Sequence, residues 1–204
     1  MHKNWKKQFA LIYAGQAFSL LGSAAVQFAV IWWLTIQTES AMTLAMASIV
    51  AFIPTMVLGP FAGVWIDRYN RRSVMIAADC LVALSSLILG IVFLVVETPP
   101  IWFIYCILFV RGLGNTFHGP AMQATIPMLV PVEMLTKAGG WGSFVNSASA
   151  MLGPVLGAAL MAFLPIASIM LVDILGAIFD WAVCCSWRFQ IFPRLVKRCR
   201  YFLI

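Results

Sequence analysis

The stretch Gly63-Val64-Trp65-Ile66-Asp67-Arg68-Tyr69-Asn70-Arg71-Arg72 decides how this chain is read. It places one acid and three arginines within the six residues Asp67 to Arg72, between two long apolar segments. Elsewhere the 204 residues are 63% hydrophobic and 10% charged, with a mean hydropathy of +0.97. Soluble chains carry roughly a quarter of charged residues. Charges packed this densely at the end of an apolar segment belong at a water interface, so the segments on either side read as membrane spans.

Working outward, six apolar stretches approach or exceed the ~20 residues that a helix needs to cross a bilayer. They lie near Phe9–Ile36, Ala41–Ile66, Val74–Val96, Ile101–Phe117, Ala138–Phe163 and Ile166–Cys185. The hairpins between them are short: Gln37–Ser40, Glu97–Pro100 and a turn at Pro165. In lipid the backbone must satisfy its own polar groups, and these runs lack the alternation of barrel strands, so helices are required. The expectation is an all-α membrane protein. A six-helix bundle should span residues 1–187 and a basic cytoplasmic tail should follow over 188–204.

The basic residues orient the bundle. With the N-terminus in the cytoplasm, Lys3, Lys6, Lys7, Arg68, Arg71, Arg72, Lys137, Arg188, Arg194, Lys197, Arg198 and Arg200 all fall inside. The thirteenth, Arg111, lies within a span. Such an inside bias predicts cytoplasmic termini at both ends. Trp32, Trp33 and Trp102 then sit at the outer interface, while Trp5, Trp65, Trp141 and Trp187 sit at the inner one. The net charge of +6 is spread along this one face, which suits anionic lipid headgroups rather than nucleic acid. The cysteines (80, 106, 184, 185 and 199) show no metal-ligand spacing and read as packing residues. The basic N-terminus leads into a run longer than the apolar core of a signal peptide, so it reads as an uncleaved first span.

The chain also matches itself at an offset of 94 residues. Leu58-Gly59-Pro60-x-x-Gly63 falls on Leu152-Gly153-Pro154-x-x-Gly157, and Asp79-x-Leu81-x-Ala83 falls on Asp173-x-Leu175-x-Ala177. The offset spans three helices, so the two copies would cross the membrane in opposite directions, the plan of many secondary transporters. The expected architecture is a 3+3 inverted repeat. Only the first copy bears charge, because the counterpart of Asp67–Arg72 reads Met161-Ala162-Phe163-Leu164-Pro165.

In the opening stretch, Gly63 removes a side chain one turn before Asp67 and lets a neighbouring helix approach. Asp67 stands near a helix C-terminus, where the dipole disfavours an anion, and Arg68, Arg71 and Arg72 are the local cations. On the residues alone this is equally a headgroup anchor with a neutralised acid. The pattern G-x-x-x-D-R-x-x-R-R resembles the signature loop between helices 2 and 3 of the major facilitator superfamily. That resemblance implies the N-terminal half of a major facilitator fold, with Asp67 and the arginines latching a cytoplasmic gate. In a complete transporter, Asp67→Asn should then cut transport and leave insertion intact.

Arg111 lies about ten residues into the fourth span, roughly 15 Å deep by helical rise. An arginine at mid-bilayer costs about 2.5–3.5 kcal/mol on insertion scales, so it should face the bundle interior and meet an acid. Asp79, Asp173 and Asp180 are available. Arg111-Gly112-Leu113-Gly114 resembles the superfamily's helix 4 motif, with its glycine spacing compressed, and the resemblance makes Arg111, Asp79 and Asp173 candidates for proton coupling. Gly153-Pro154-Val155-Leu156-Gly157-Ala158 on the fifth span resembles the antiporter motif of exporters, which favours efflux over uptake.

The run from Trp5 to about Ile178 resembles the macrolide-efflux, or Mef-like, branch. Tyr13-Ala14-Gly15-Gln16, Ser40-Ala41-Met42 and Phe117-His118-x-Pro120-Ala121 carry the likeness, and the siderophore-exporter branch shares several such phrases. The resemblance implies a bulky amphiphilic substrate such as a macrolide, expelled in exchange for protons. The proton gradient would be the energy source and no cofactor would be needed. Gln16, Gln27 and Asn146 are candidates for the substrate path, and equally for interhelical hydrogen bonds. A six-span intramembrane protease is the alternative of another class, but Gly142-Ser143-Phe144 lacks the second glycine of G-x-S-G. The superfamily has about twelve helices in two halves, and one half is read here. After Phe179 the likeness fades, so the expectation is a departure from the ancestral frame near that residue. The other reading is a half-size protein that self-associates.

Overall fold

The computed structural model describes the backbone of residues 5–96 and 98–186, and the side chains of these except 5–8, 11, 12, 67, 72, 127–129 and 180–186. Six α-helices form the described chain: α1 (Trp5–Thr38), α2 (Ala41–Arg68), α3 (Arg71–Val95), α4 (Ile101–Leu129), α5 (Leu135–Phe163) and α6 (Ile166–Ser186). A single 3-10 turn, Val132–Met134, leads into α5. Five helices keep within four residues of the bounds expected from the apolar runs. The exception is α4, expected to stop at Phe117 and instead continuing to Leu129. The sequence His118-Gly119-Pro120 interrupts the apolar run, but it does not interrupt the helix. Beyond it Ala121, Met122 and Ile126 are buried against Ala62 and Ile66 of α2 and Met75 of α3. Packing on two neighbours outweighs the local break. The Thr116 and Thr125 hydroxyls also donate back to Gly112 O (2.7 Å) and Ala121 O (2.9 Å).

Among the described residues, four segments are long and apolar enough to cross a membrane by themselves: Tyr13–Thr38, Ala41–Ile66, Ser73–Val95 and Val132–Phe163. The apolar segment of α6, Ile166–Phe179, is shorter, and α4 carries Arg111 and His118. These two depend on their neighbours to neutralise or hide what they carry. The outward faces of the bundle carry many large apolar side chains, among them Met56 and Phe61 of α2 and Met151 and Val155 of α5. Helices apolar on all sides belong in lipid or against other helices.

α1 and α4 each hold two partners. α1 packs chiefly on α5 and α6, α4 chiefly on α2 and α3, and α3 meets α6. Burial divides into two clusters along the bundle. One, around Val30, Leu34, Leu89, Ile104, Leu108 and Ile169, lies towards the α1–α2, α3–α4 and α5–α6 turns. The other, around Tyr13, Ile66, Met75, Met122 and Ile126, lies towards the charged α2–α3 loop. Glycine brings the crossing helices close, as expected where dispersion rather than water release drives association. A methyl group at Gly153 would come within 2.5 Å of Ala24 on α1, and one at Gly157 within 2.6 Å of Ala25 O. On α4, a methyl at Gly112 would collide with the Ala51 carbonyl of α2, and one at Gly114 would reach Val82 of α3 at 2.6 Å.

Candidate functional site

Between the two clusters, four helices bring polar groups to one point. Arg111 of α4 is 1% exposed, and its Nη1 donates to Asp173 Oδ2 of α6 and to Ser86 Oγ of α3. Its Nη2 donates to Ser23 O of α1 at 3.3 Å. Asp173 accepts from Ser23 Oγ on one oxygen and from Ser86 Oγ on the other, each at 2.6 Å. Both carboxylate oxygens are thus satisfied, while the buried Arg111 Nε has no hydrogen-bond partner among the described residues. An arginine keeps its charge in any surroundings, so the site is neutral only while Asp173 is ionised. Removing one member of such a buried pair leaves the other charge uncompensated, at about 3–5 kcal/mol.

Arg111 therefore meets one of the three acids proposed for it. Asp79 lies elsewhere: its Oδ1 is 3.2 Å from His118 Nε2, an ion-pair distance when the imidazole is protonated, although the ring N–H is out of line for a hydrogen bond. The side chain of Asp180 lies outside the described residues. Ser23 and Ser86 are functional contacts that sequence reasoning missed. They stand 150 and 87 residues from Asp173, so nothing local marks them. Asp79 and Ser86, seven residues apart, do share a face of α3, and that spacing was the available sign that the face is polar.

In the charged loop, Arg71 Nη1 donates to Ala124 O of α4 at 2.5 Å, which ties the start of α3 to the last part of α4. Arg68 closes α2 and is exposed. The side chains of Asp67 and Arg72 lie outside the described residues, so the expected latch cannot be placed through them. Gly63 is exposed, and a methyl group there would meet nothing within 4 Å. The close approach expected of it involves no described residue of this chain.

Gly153 and Gly157 are buried in the α1–α5 seam, with Pro154 half-buried between them. Of the candidate path residues, Gln16 is buried and Gln27 half-buried on α1. Asn146 is exposed on α5, and its Nδ2 donates to Gly142 O of its own helix at 3.1 Å. Ser143 is exposed, and His118 lies beside Asp79 on α3.

Among the described residues, the bundle thus encloses a buried ion pair held by four helices. A solved bacterial homologue of the human lysosomal transporter Spinster, inward-facing and unoccupied, superposes with a TM-score of 0.64 over 90% of this chain and 43% of its own, at 10% identity. That likeness concerns the fold alone. The profile of the transmembrane secretion effectors, a family of the major facilitator superfamily, matches residues 5–202, and the chain belongs to that family. It is 42% identical to macrolide efflux protein A of Streptococcus pyogenes over 177 residues, 87% of this chain and 44% of that protein. It is 40% identical to macrolide efflux protein A of Enterococcus faecalis over 139 residues, 68% of this chain and 42% of that protein. The chain thus spans about half the length of the curated relatives it matches. The family and the fold are those of membrane transporters rather than catalysts, and the protease alternative falls.

Proposed function

We propose that this chain is the N-terminal half of a proton-coupled exporter of bulky amphiphiles, macrolides foremost. The observation that carries the reading is the buried Arg111–Asp173 pair, in a chain 42% identical to a macrolide efflux protein over most of its length. A proton added to Asp173 would cancel its charge and leave Arg111 uncompensated. The pair would then open and free α4 to shift against α1, α3 and α6. One proton bound is thereby converted into one helix rearrangement, which is what coupling requires.

The 3+3 inverted repeat is supported by the packing as well as by the 94-residue self-match. α1 with α5 and α6 mirrors α4 with α2 and α3, as a two-fold axis through the α3–α6 contact demands. The basic residues favour cytoplasmic termini. Arg68, Arg71, Arg72 and Asp67 would form the cytoplasmic latch, and Gly153, Pro154 and Gly157 the exporter seam. Gln16, Gln27 and Asn146 remain proposed path residues. A substrate cavity needs a second six-helix unit. The exposed apolar faces of α2 and α5 are where that unit, or a second copy of this chain, would dock.

Accumulation of a radiolabelled macrolide tests the reading in bacteria that express this chain alone, or together with the C-terminal six helices of a relative. Lower accumulation in the paired cells, abolished by a protonophore, is expected. Equal accumulation with and without the second half, in cells where both insert, would sink it. Lower accumulation with this chain alone would point to self-association.

A further inference from the structure

One side chain of α4 departs from the burial of its surroundings. Asn115 stands at the midpoint of this 29-residue helix and is exposed. Its neighbours at spacings of three, four and seven residues are Leu108, Arg111, Gly112, His118, Gly119 and Met122. All are buried except Gly119, which is half-buried and has nothing within 4 Å of where a methyl would stand. The exposed Trp102 and Phe109 lie about 120–140° away round the helix, so Asn115 does not share their outward face. On one flank Gly112 packs on Ala51 and Pro54 of α2, and on the other Arg111 reaches Ser23 O of α1. The Asn115 amide therefore points into the space between α1 and α2. Unlike Asn146, it makes no hydrogen bond to a described residue.

Thr55 of α2 opens onto α4 at the same level. It is exposed, although Ala51 and Ala62 on its own face are buried. The Thr116 hydroxyl donates to Gly112 O at 2.7 Å, so Thr55 is the donor in the 3.0 Å bond between the two hydroxyls. That leaves the Thr55 oxygen with lone pairs to accept from a ligand. An unpaired amide at mid-bilayer is costly against lipid tails, and polar side chains at that depth face a bundle interior or a water-filled cavity.

We propose that Asn115 is a ligand-contacting residue: with Thr55 it lines an aqueous chamber and binds the hydroxyl and carbonyl oxygens of the exported amphiphile. The assignment rests on the transport reading above and deepens it. The chemistry selects neutral, oxygen-rich groups. An amide offers two N–H donors and one C=O acceptor, and the Thr55 oxygen adds a second acceptor. Hydroxyl, ester and ether oxygens match these, whereas the charges nearby, Arg111 and Asp173, already neutralise each other. One turn separates Asn115 from Arg111, so a ligand held at Asn115 lies against the helix that carries the ion pair.

Thiol labelling tests this in membranes. The five native cysteines are replaced by serine, and Asn115→Cys or Phe109→Cys is added. A water-soluble methanethiosulfonate attacks only a thiolate in contact with water, so Asn115→Cys should react at least about tenfold faster than Phe109→Cys. With the C-terminal six helices of a relative present, erythromycin should slow that reaction severalfold. In the same pairing Asn115→Leu should weaken erythromycin binding about two- to tenfold, the worth of a neutral hydrogen bond, and Asn115→Gln should recover part of it. Equal reaction at positions 115 and 109 overturns the proposal, as does a thiol at 115 that the second half covers without drug. Labelling that erythromycin leaves unchanged, in a pair that lowers macrolide accumulation, overturns it too. A pair that inserts but never lowers accumulation, with the thiol at 115 open to water and protected by the drug, leaves the site standing and overturns the transport reading instead.

Discussion

Positions related by the 94-residue offset carry the same residues and use them differently. Gly153 and Gly157 of α5 press against Ala24, Ala25 and Phe28 of α1, whereas Gly59 and Gly63 of α2 have nothing within 4 Å of where a methyl would stand. The seam between α2 and α4 is closed by a glycine on the other helix, Gly112. The acids diverge as well. Asp173 is locked to an arginine and two serines, while Asp79 lies beside His118. One copy has committed its small and acidic residues to the interior of this bundle. The other keeps its glycines on an outer face and pairs its acid with a group that can give up its charge.

The acids offer the largest test of that contrast. Asp173→Asn should cost about 3–5 kcal/mol in denaturant unfolding of the reconstituted chain, because Arg111 stays charged and buried. Asp79→Asn should cost less, roughly 1 kcal/mol, because the imidazole beside it can turn neutral whereas a guanidinium cannot. Equal losses would erase the distinction between the two sites. The glycines come next. Gly157→Val should cost about 1–3 kcal/mol through overpacking against Ala25 and Phe28, and Gly63→Val should stay within about 0.5 kcal/mol in this chain alone. A large penalty at Gly63 would mean that α2 already has a neighbour on that face, for example a second copy. The smallest effect concerns the hydroxyls that set Asp173 apart. Ser86→Ala should remove about 0.5–1.5 kcal/mol, and Ser86→Thr, which keeps the hydroxyl, should recover part of it.

Much of this was legible in the sequence because the bilayer imposes it. Apolar runs of fixed length, bounded by short turns, count helices without reference to their neighbours. A buried arginine demands an acid for the same reason. Which acid it meets depends on how α6 is rotated against α4, and Asp79 was as good a candidate as Asp173 until the helices were packed. The length of α4 was misjudged on similar grounds. His118-Gly119-Pro120 reads as a break when the helix is considered alone, and becomes a helix interior once Asp79 answers the histidine and α2 and α3 cover the residues that follow. Ser23 and Ser86 resemble every other serine in an apolar helix, so their part in holding Asp173 has no local mark.

The separation of Arg111 from Asp173 has a consequence for how the chain is made. The two lie 62 residues apart. At about 5–20 residues per second of synthesis, the ribosome reaches Asp173 of α6 roughly 3–12 s after the arginine. Ser23 and Ser86, both upstream of Arg111, are already in place by then, and their carbonyl and hydroxyl oxygens can receive the guanidinium as α4 enters the bilayer. The ion pair is therefore completed by α6, when a carboxylate arrives for a cation that two serines have been holding.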